Sequence, residues 1–176
     1  MIAPLSLSNI LTVVMAIACL WSIAPQARGD GVKLWRVAVP PGLAIAQALV
    51  LLAGVFDATF VHDAEWLAGG MFGAVLGRMR GWALSFDVDR ARGLIKVQPS
   101  IDIHLAAVGL VVLAAIDFMS ASFEDPIVAT DFVAAGAAFL AGYLGWRALA
   151  IAVRVSRAES ATAPSSTPAG TSPPPS

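Results

Sequence analysis

What most constrains this chain is a succession of long apolar stretches almost free of charge. Ile2 to Ile23 and Val37 to Phe56 hold no charged residue, and Ile103 to Ile116 and Phe132 to Trp146 form the apolar centres of two more. Each reaches the roughly 20 residues a helix needs to cross hydrocarbon once its ends are included. Helices apolar on every side need lipid or protein around them. Composition agrees: 58% of the 176 residues are hydrophobic, 13% are charged and mean hydropathy is +0.79. A soluble domain carries roughly twice that charge fraction. These features predict an all-α membrane protein of about five transmembrane helices, over residues 2–24, 37–58, 63–82, 101–120 and 131–153.

The third span is the weakest, because Trp66 to Gly77 is apolar over only about 18 Å of helix. Extended from Asp63 to Trp82 it reaches about 30 Å, with its terminal charges snorkelling to water. Charge distribution favours the crossing. With five spans, one side receives Arg28, Lys33, Arg36, Arg78, Arg80, Arg90, Arg92, Lys96, Arg147, Arg154 and Arg157, which is every Lys and Arg in the chain. The other side receives Asp57, Asp63, Glu65, Asp117, Glu124, Asp125 and Asp131. The positive-inside rule then predicts the N-terminus outside and the C-terminus in the cytoplasm. Trp21, Trp35, Trp82 and Trp146 fall near the inner interface and Trp66 near the outer one, as an aromatic belt would. Met1 to Trp21 contains no Lys or Arg, so the first segment reads as a retained span and not as a cleaved signal.

Between the third and fourth spans, Ala83 to Val88 alternates apolar and polar residues and Leu94 to Val97 resumes a strand. Asp89-Arg-Ala-Arg-Gly93 supplies the turn, which predicts a short cytoplasmic β-hairpin over residues 83–98. Pro99-Ser100 ends it and offers a cap for the next helix. Residues 158–176 are almost entirely Ala, Ser, Thr, Pro and Gly and predict a disordered tail.

Several function classes find no residues here. A net charge of −1 gives no basic field for nucleic acid. The single cysteine, Cys19, cannot make a disulfide framework, a CxxC pair or a zinc cluster. No GxSxG elbow, HExxH helix or Walker loop occurs, so no catalytic residue, cofactor or metal ligand is expected. Asp57, His62, Asp63 and Glu65 lie close in sequence, yet their spacing matches no metal loop. Gln47 and Asn9 read as interhelical hydrogen bonds.

Two constellations remain. Gly69, Gly73, Gly77 and Gly81 recur every four residues and make a groove into which a second backbone fits. Ala134, Ala138, Gly142 and Gly145 offer the facing surface, either within the chain or in a homo-oligomer. Arg147, Asp102 and His104 fall at similar depth near the inner ends of their spans and form a candidate intramembrane polar site.

The run Gly69 to Gly77, the Arg78-Met-Arg-Gly81 step, and Phe86 to Val97 with Pro99-Ser100 resemble the CcdC-like small bacterial membrane proteins. The resemblance covers roughly residues 66–118 and implies a bacterial cytoplasmic-membrane protein with no established biochemical activity. It also implies a link to cytochrome c maturation, but a thiol-electron carrier needs a cysteine pair and this chain has Cys19 alone. The reading that follows is a non-enzymatic multi-pass protein in a lipid bilayer, acting through packing with itself or a membrane-protein partner. The alternative is a small transporter or channel built on Arg147, Asp102 and His104.

Overall fold

The computed structural model describes residues 7–54, 60–89, 91–121 and 128–160. The fold is mostly helical, in the order α1 (Leu7–Ala27), α2 (Leu34–Val37), α3 (Val39–Gly54), α4 (Phe60–Ala83), β1 (Phe86–Asp89), β2 (Leu94–Val97), α5 (Ile101–Ser120) and α6 (Thr130–Ser160). Among the described residues, four helical stretches are long and apolar enough to cross a membrane: Leu7–Ala27, Leu34–Ala53, Ile101–Ser120 and Thr130–Ala158. Helix α4 has 24 residues but carries Asp63 in its first turn and Arg80 in its last, so it is apolar only between its ends.

The element ends differ from expectation where local chemistry overrides the apolar pattern. Helix α1 continues past Pro25 to Ala27. It stops in a Schellman motif, with the Asp30 N–H on the Pro25 carbonyl, the Gly29 N–H on the Gln26 carbonyl, and Gly29 at φ 74°. The second apolar stretch is split into one turn of helix and then α3, with the break at Ala38. Pro40 and Pro41 sit in the first turn of α3, where missing N–H groups cost little. Because Pro40 has no N–H to offer the Arg36 carbonyl, that carbonyl accepts from the Gln26 side chain at 3.4 Å. Helix α6 runs through Ser160, so Ala158 to Ser160 are helical and not part of a tail. The tail's residues 161–176 lie outside the described residues, as do 1–6, 55–59 and 122–127.

Helix α6 is the hub and packs against α3, α4 and α5, while α1 packs against α3 and α5. The core is small-residue rich, with Ala44, Ala48, Ala106, Ala107, Ala137 and Ala141 closing around Leu110 and Leu144. Two amides cross it. Gln47, fully buried, donates to the Leu110 carbonyl at 3.1 Å, and Asn9 donates to Asp117 at 3.0 Å. Both amides therefore tie α5 to a neighbouring helix.

The α4–α6 contact is of a different kind. The two helices run parallel, and each glycine of the four-residue repeat faces a backbone carbonyl of α6: Gly69 faces Ala135, Gly73 Phe139, Gly77 Tyr143 and Gly81 Arg147. A methyl group at Gly69 would stand 2.6 Å from its carbonyl, and one at Gly81 2.8 Å. Gly142 of α6 faces the Gly70 carbonyl in return, with Ala138 beside it. Gly145, grouped with them by spacing, meets nothing within 4 Å.

The hairpin forms in the expected place, with Phe86 opposite Val97 and Asp89 opposite Leu94. Gly93 takes φ 62° in its turn. Leu84, Ile95 and Val97 pack on Ile151 and Val155 of α6, which explains why α6 continues beyond its apolar segment. Val32 pairs with Ile95 through two backbone bonds of 2.9 and 2.8 Å, so β2 is covered on both edges. Arg154 closes the junction by donating to the Gly81 and Leu84 carbonyls at 3.0 and 2.6 Å at the C-terminal end of α4.

Gly77→Ala is expected to cost about 1–3 kcal/mol, because the added methyl must push two backbones apart. Gly42→Ala, whose methyl meets nothing within 4 Å, is expected to stay within about 1 kcal/mol of the parent. Thermal melting of the detergent-solubilised variants compares the two directly.

Candidate functional site

The polar site gathers at one end of the bundle from three helices. Asp102 is the second residue of α5, where the helix dipole favours a carboxylate. Arg147 lies one turn after Tyr143 on α6, so both side chains project from one face. Arg80 comes from the last turn of α4. All three side chains converge on one oxygen, Asp102 Oδ2. The Tyr143 hydroxyl donates at 2.5 Å, Arg147 Nε at 3.3 Å, and Arg80 Nε lies at 3.5 Å. Arg147 also donates through Nη2 to Ser100 Oγ at 3.1 Å.

Ser100 occupies the N-cap position of α5 but makes no cap hydrogen bond. Its hydroxyl accepts from Arg147 instead, which corrects the expectation that it caps the helix. Arg147 is only 3% exposed, whereas the side chain of Arg80 is about half exposed. Asp102 Oδ1 is buried and has no hydrogen-bond partner among the described residues.

The structure thus brings Asp102 and Arg147 together and leaves His104 out. His104 is exposed, because a residue two positions along a helix points away from its neighbour's face. Tyr143, Arg80 and Ser100 join the site instead. Measured along the axis, Arg147 is about 26 Å from Thr130 and Arg80 about 30 Å from Phe60. The cluster therefore lies about one hydrocarbon thickness from the far helix ends, with the hairpin directly beyond it.

Chemically this is a lock of charge and hydrogen bonds. Two guanidinium groups share one carboxylate, so the cluster carries an excess positive charge, and it joins the last turn of α4 and the first turn of α5 to the middle of α6. At the opposite end of the α4–α6 contact, His62 and Asp131 pair at 3.0 Å. Among the described residues no three His, Cys, Asp or Glu side chains come together as a metal site. Asp57, from the expected acidic group, lies outside the described residues.

A second feature is an apolar groove of about 390 Å³ between α3 and α4, floored by α6. Ile45 and Ala48 form one wall, Trp66 and Gly70 the other, and Ala141 and Gly145 the floor. A neighbouring hollow of about 400 Å³ shares Ile45, Gly145 and Leu149 with it and continues along α6 to Ala152.

Compared with family models, curated proteins and solved structures, the chain matches none of them.

Replacing Asp102 with Ala leaves the Arg147 guanidinium buried beside Arg80 and is expected to cost about 3 kcal/mol. Combined with Arg147→Leu, the loss should fall short of the sum of the single losses by about 1–2 kcal/mol. Tyr143→Phe removes one donor and is expected to cost about 1 kcal/mol. Denaturation midpoints of the parent, Asp102→Ala, Arg147→Leu and the double variant complete the cycle, and strict additivity would show that the two groups do not interact.

Proposed function

We propose that this chain is a five-span protein of a bacterial cytoplasmic membrane, with its N-terminus outside, acting without catalysis as a packing partner for another membrane protein. The membrane reading is supported by the four long apolar helices. The fifth crossing is supported by α4, which lies parallel to α6 from Gly69 to Gly81 and spans about 36 Å. The orientation rests on the charge asymmetry, with the basic hairpin and the ends of α4 and α6 on the inner side. The bacterial setting is the one implied by the CcdC-like resemblance.

The observation that carries the packing role is the groove between α3 and α4. The glycine face of α4 is already filled by α6, so it is not the docking surface. The groove and the hollow that continues it have small residues for which internal packing gives no reason, since methyl groups at Gly145, which lines both, and at Gly42, which lines the hollow, would meet nothing within 4 Å. Open glycines on an apolar floor are what the close approach of a further helix requires. The hairpin adds a second contact surface, because β1 is the uncovered edge of its sheet.

Gly145→Leu fills the groove without touching the α4–α6 contact. Native mass spectrometry of the tagged protein from its own membranes is expected to show a second protein at fixed stoichiometry, lost in Gly145→Leu. A parent protein that is recovered alone and monomeric would overturn the packing role.

A transport role is the second reading, favoured by the unpartnered Asp102 Oδ1 beside two guanidinium groups. It requires solute or ion flux in liposomes that Arg147→Leu abolishes. Absence of flux across a broad solute panel would end it.

A further inference from the structure

We infer that the crevice between the last turns of α1 and the α2 turn is a binding site for one anionic phospholipid, with its phosphate at Arg36 and an acyl chain below. The crevice has a volume of about 300 Å³. Its lining is mostly apolar, with Ala18, Trp21 and Pro25 from α1 and Val39 from α3; Ser22 and Gln26 add polar groups, and Trp35 and Arg36 come from the α2 turn. Trp21 is 80% exposed and Trp35 61%, so both rings are open to a lipid, as rings of an interfacial belt are. The Arg36 guanidinium sits 5.5 Å from the centre of the Trp35 ring, which holds the cation at the mouth.

Charge identifies the head of the ligand. Among the described residues, Arg28, Lys33 and Arg36 make no ion pair, and the loop that carries them has one carboxylate, Asp30. An anion at Arg36 therefore meets a local excess of positive charge without displacing an existing ion pair. The walls identify the rest. A hydrophilic anion has no use for Ala18, Pro25 and Val39, whereas an acyl chain does. A second helix, about 10 Å across, does not fit a crevice this small. A flexible chain does, and pockets of this size are ordinary ligand sites.

The walls are held in place before any ligand arrives. The Schellman motif fixes the end of α1. Gln26 ties the Arg36 carbonyl to α1. The Val32–Ile95 bridge ties the intervening loop to the hairpin. A preformed site loses less freedom on binding than one that must be assembled.

This inference rests on the membrane placement proposed above, and is independent of the groove between α3 and α4. The test uses the full chain purified in detergent, titrated with phosphatidylglycerol or phosphatidylcholine of matched chains and read by native mass spectrometry. One phosphatidylglycerol should be retained in clear preference to phosphatidylcholine. Arg36→Gln should weaken that retention about five- to ten-fold, the scale of one basic contact to an anionic head group. Ala18→Trp, which fills the crevice and keeps the charge, should weaken it as well. Arg78→Gln, a basic change on α4, should not. Only variants that melt like the parent are compared.

Equal retention of the two lipids would overturn the site. An Arg78→Gln loss as large as that of Arg36→Gln would also overturn it, by showing a diffuse field. Inorganic phosphate competing as well as the lipid would assign the position to a bare anion and overturn the acyl-chain pocket. Failure of the membrane placement is distinguishable, since the protein would then be recovered in buffer without detergent.

Discussion

The approach of two backbones along α4 and α6 is the contact on which the rest of this bundle depends. Helix α4 has its extended packing against α6, and that packing is made by hydrogen atoms where other helices place side chains. The fit repeats four times at intervals of four residues on both helices, so the register is fixed along with the distance. A slip by one residue would bring Phe72, Leu76 and Arg80, or in the other direction Ala74, Arg78 and Trp82, against the carbonyls of α6. From this register follow the position of Arg80 beside Asp102, the reach of Arg154 to the last carbonyls of α4, and the seat of the hairpin on Ile151 and Val155.

Much of this was legible in the chain because the signals are local or periodic. Four glycines at a spacing of four announce close packing, and turn chemistry at Asp89 to Gly93 announces the hairpin. Asp102 and Arg147 stood out because charge near the end of an apolar run needs an explanation. What was not legible depends on rotation about helix axes and on contacts across the bundle. His104 shares its depth with Asp102 but not its face. Tyr143 joins the cluster because it lies one turn before Arg147, a spacing that was available in the sequence and is informative only once Arg147 is taken as the centre. Ser100 carried every mark of a cap, and was diverted by a guanidinium 47 residues away. Helix α1 outruns its expected span because the stop is set by Gly29 at positive φ and not by Pro25 within the last turn.

The cluster around Asp102 shows how a bundle with few charges uses them. One carboxylate oxygen receives a phenol and two guanidinium groups, and its partner oxygen receives none. Such convergence ties the last turn of α4 and the first turn of α5 to one point in the middle of α6. It also places the polar atoms close to the hairpin, which rests on Ile151 and Val155 of the same helix. The opposite end of the same two helices is tied by His62 and Asp131, so the glycine contact is bracketed by polar ties at both ends.

The dominance of α6 has a consequence for the order in which the molecule can be made. Chains leave the ribosome from the N-terminus, so α4 and the hairpin emerge before the helix they rest on. Until Thr130–Ser160 has been synthesised, the glycine face has nothing to meet, and the hairpin lacks Ile151 and Val155. Helices α1, α3 and α5 can already settle against one another. The nascent protein thus passes through a half-built stage with a loose α4, and the last helix to arrive completes the assembly. Ribosomes that stop early release a chain with an unclaimed glycine surface on α4.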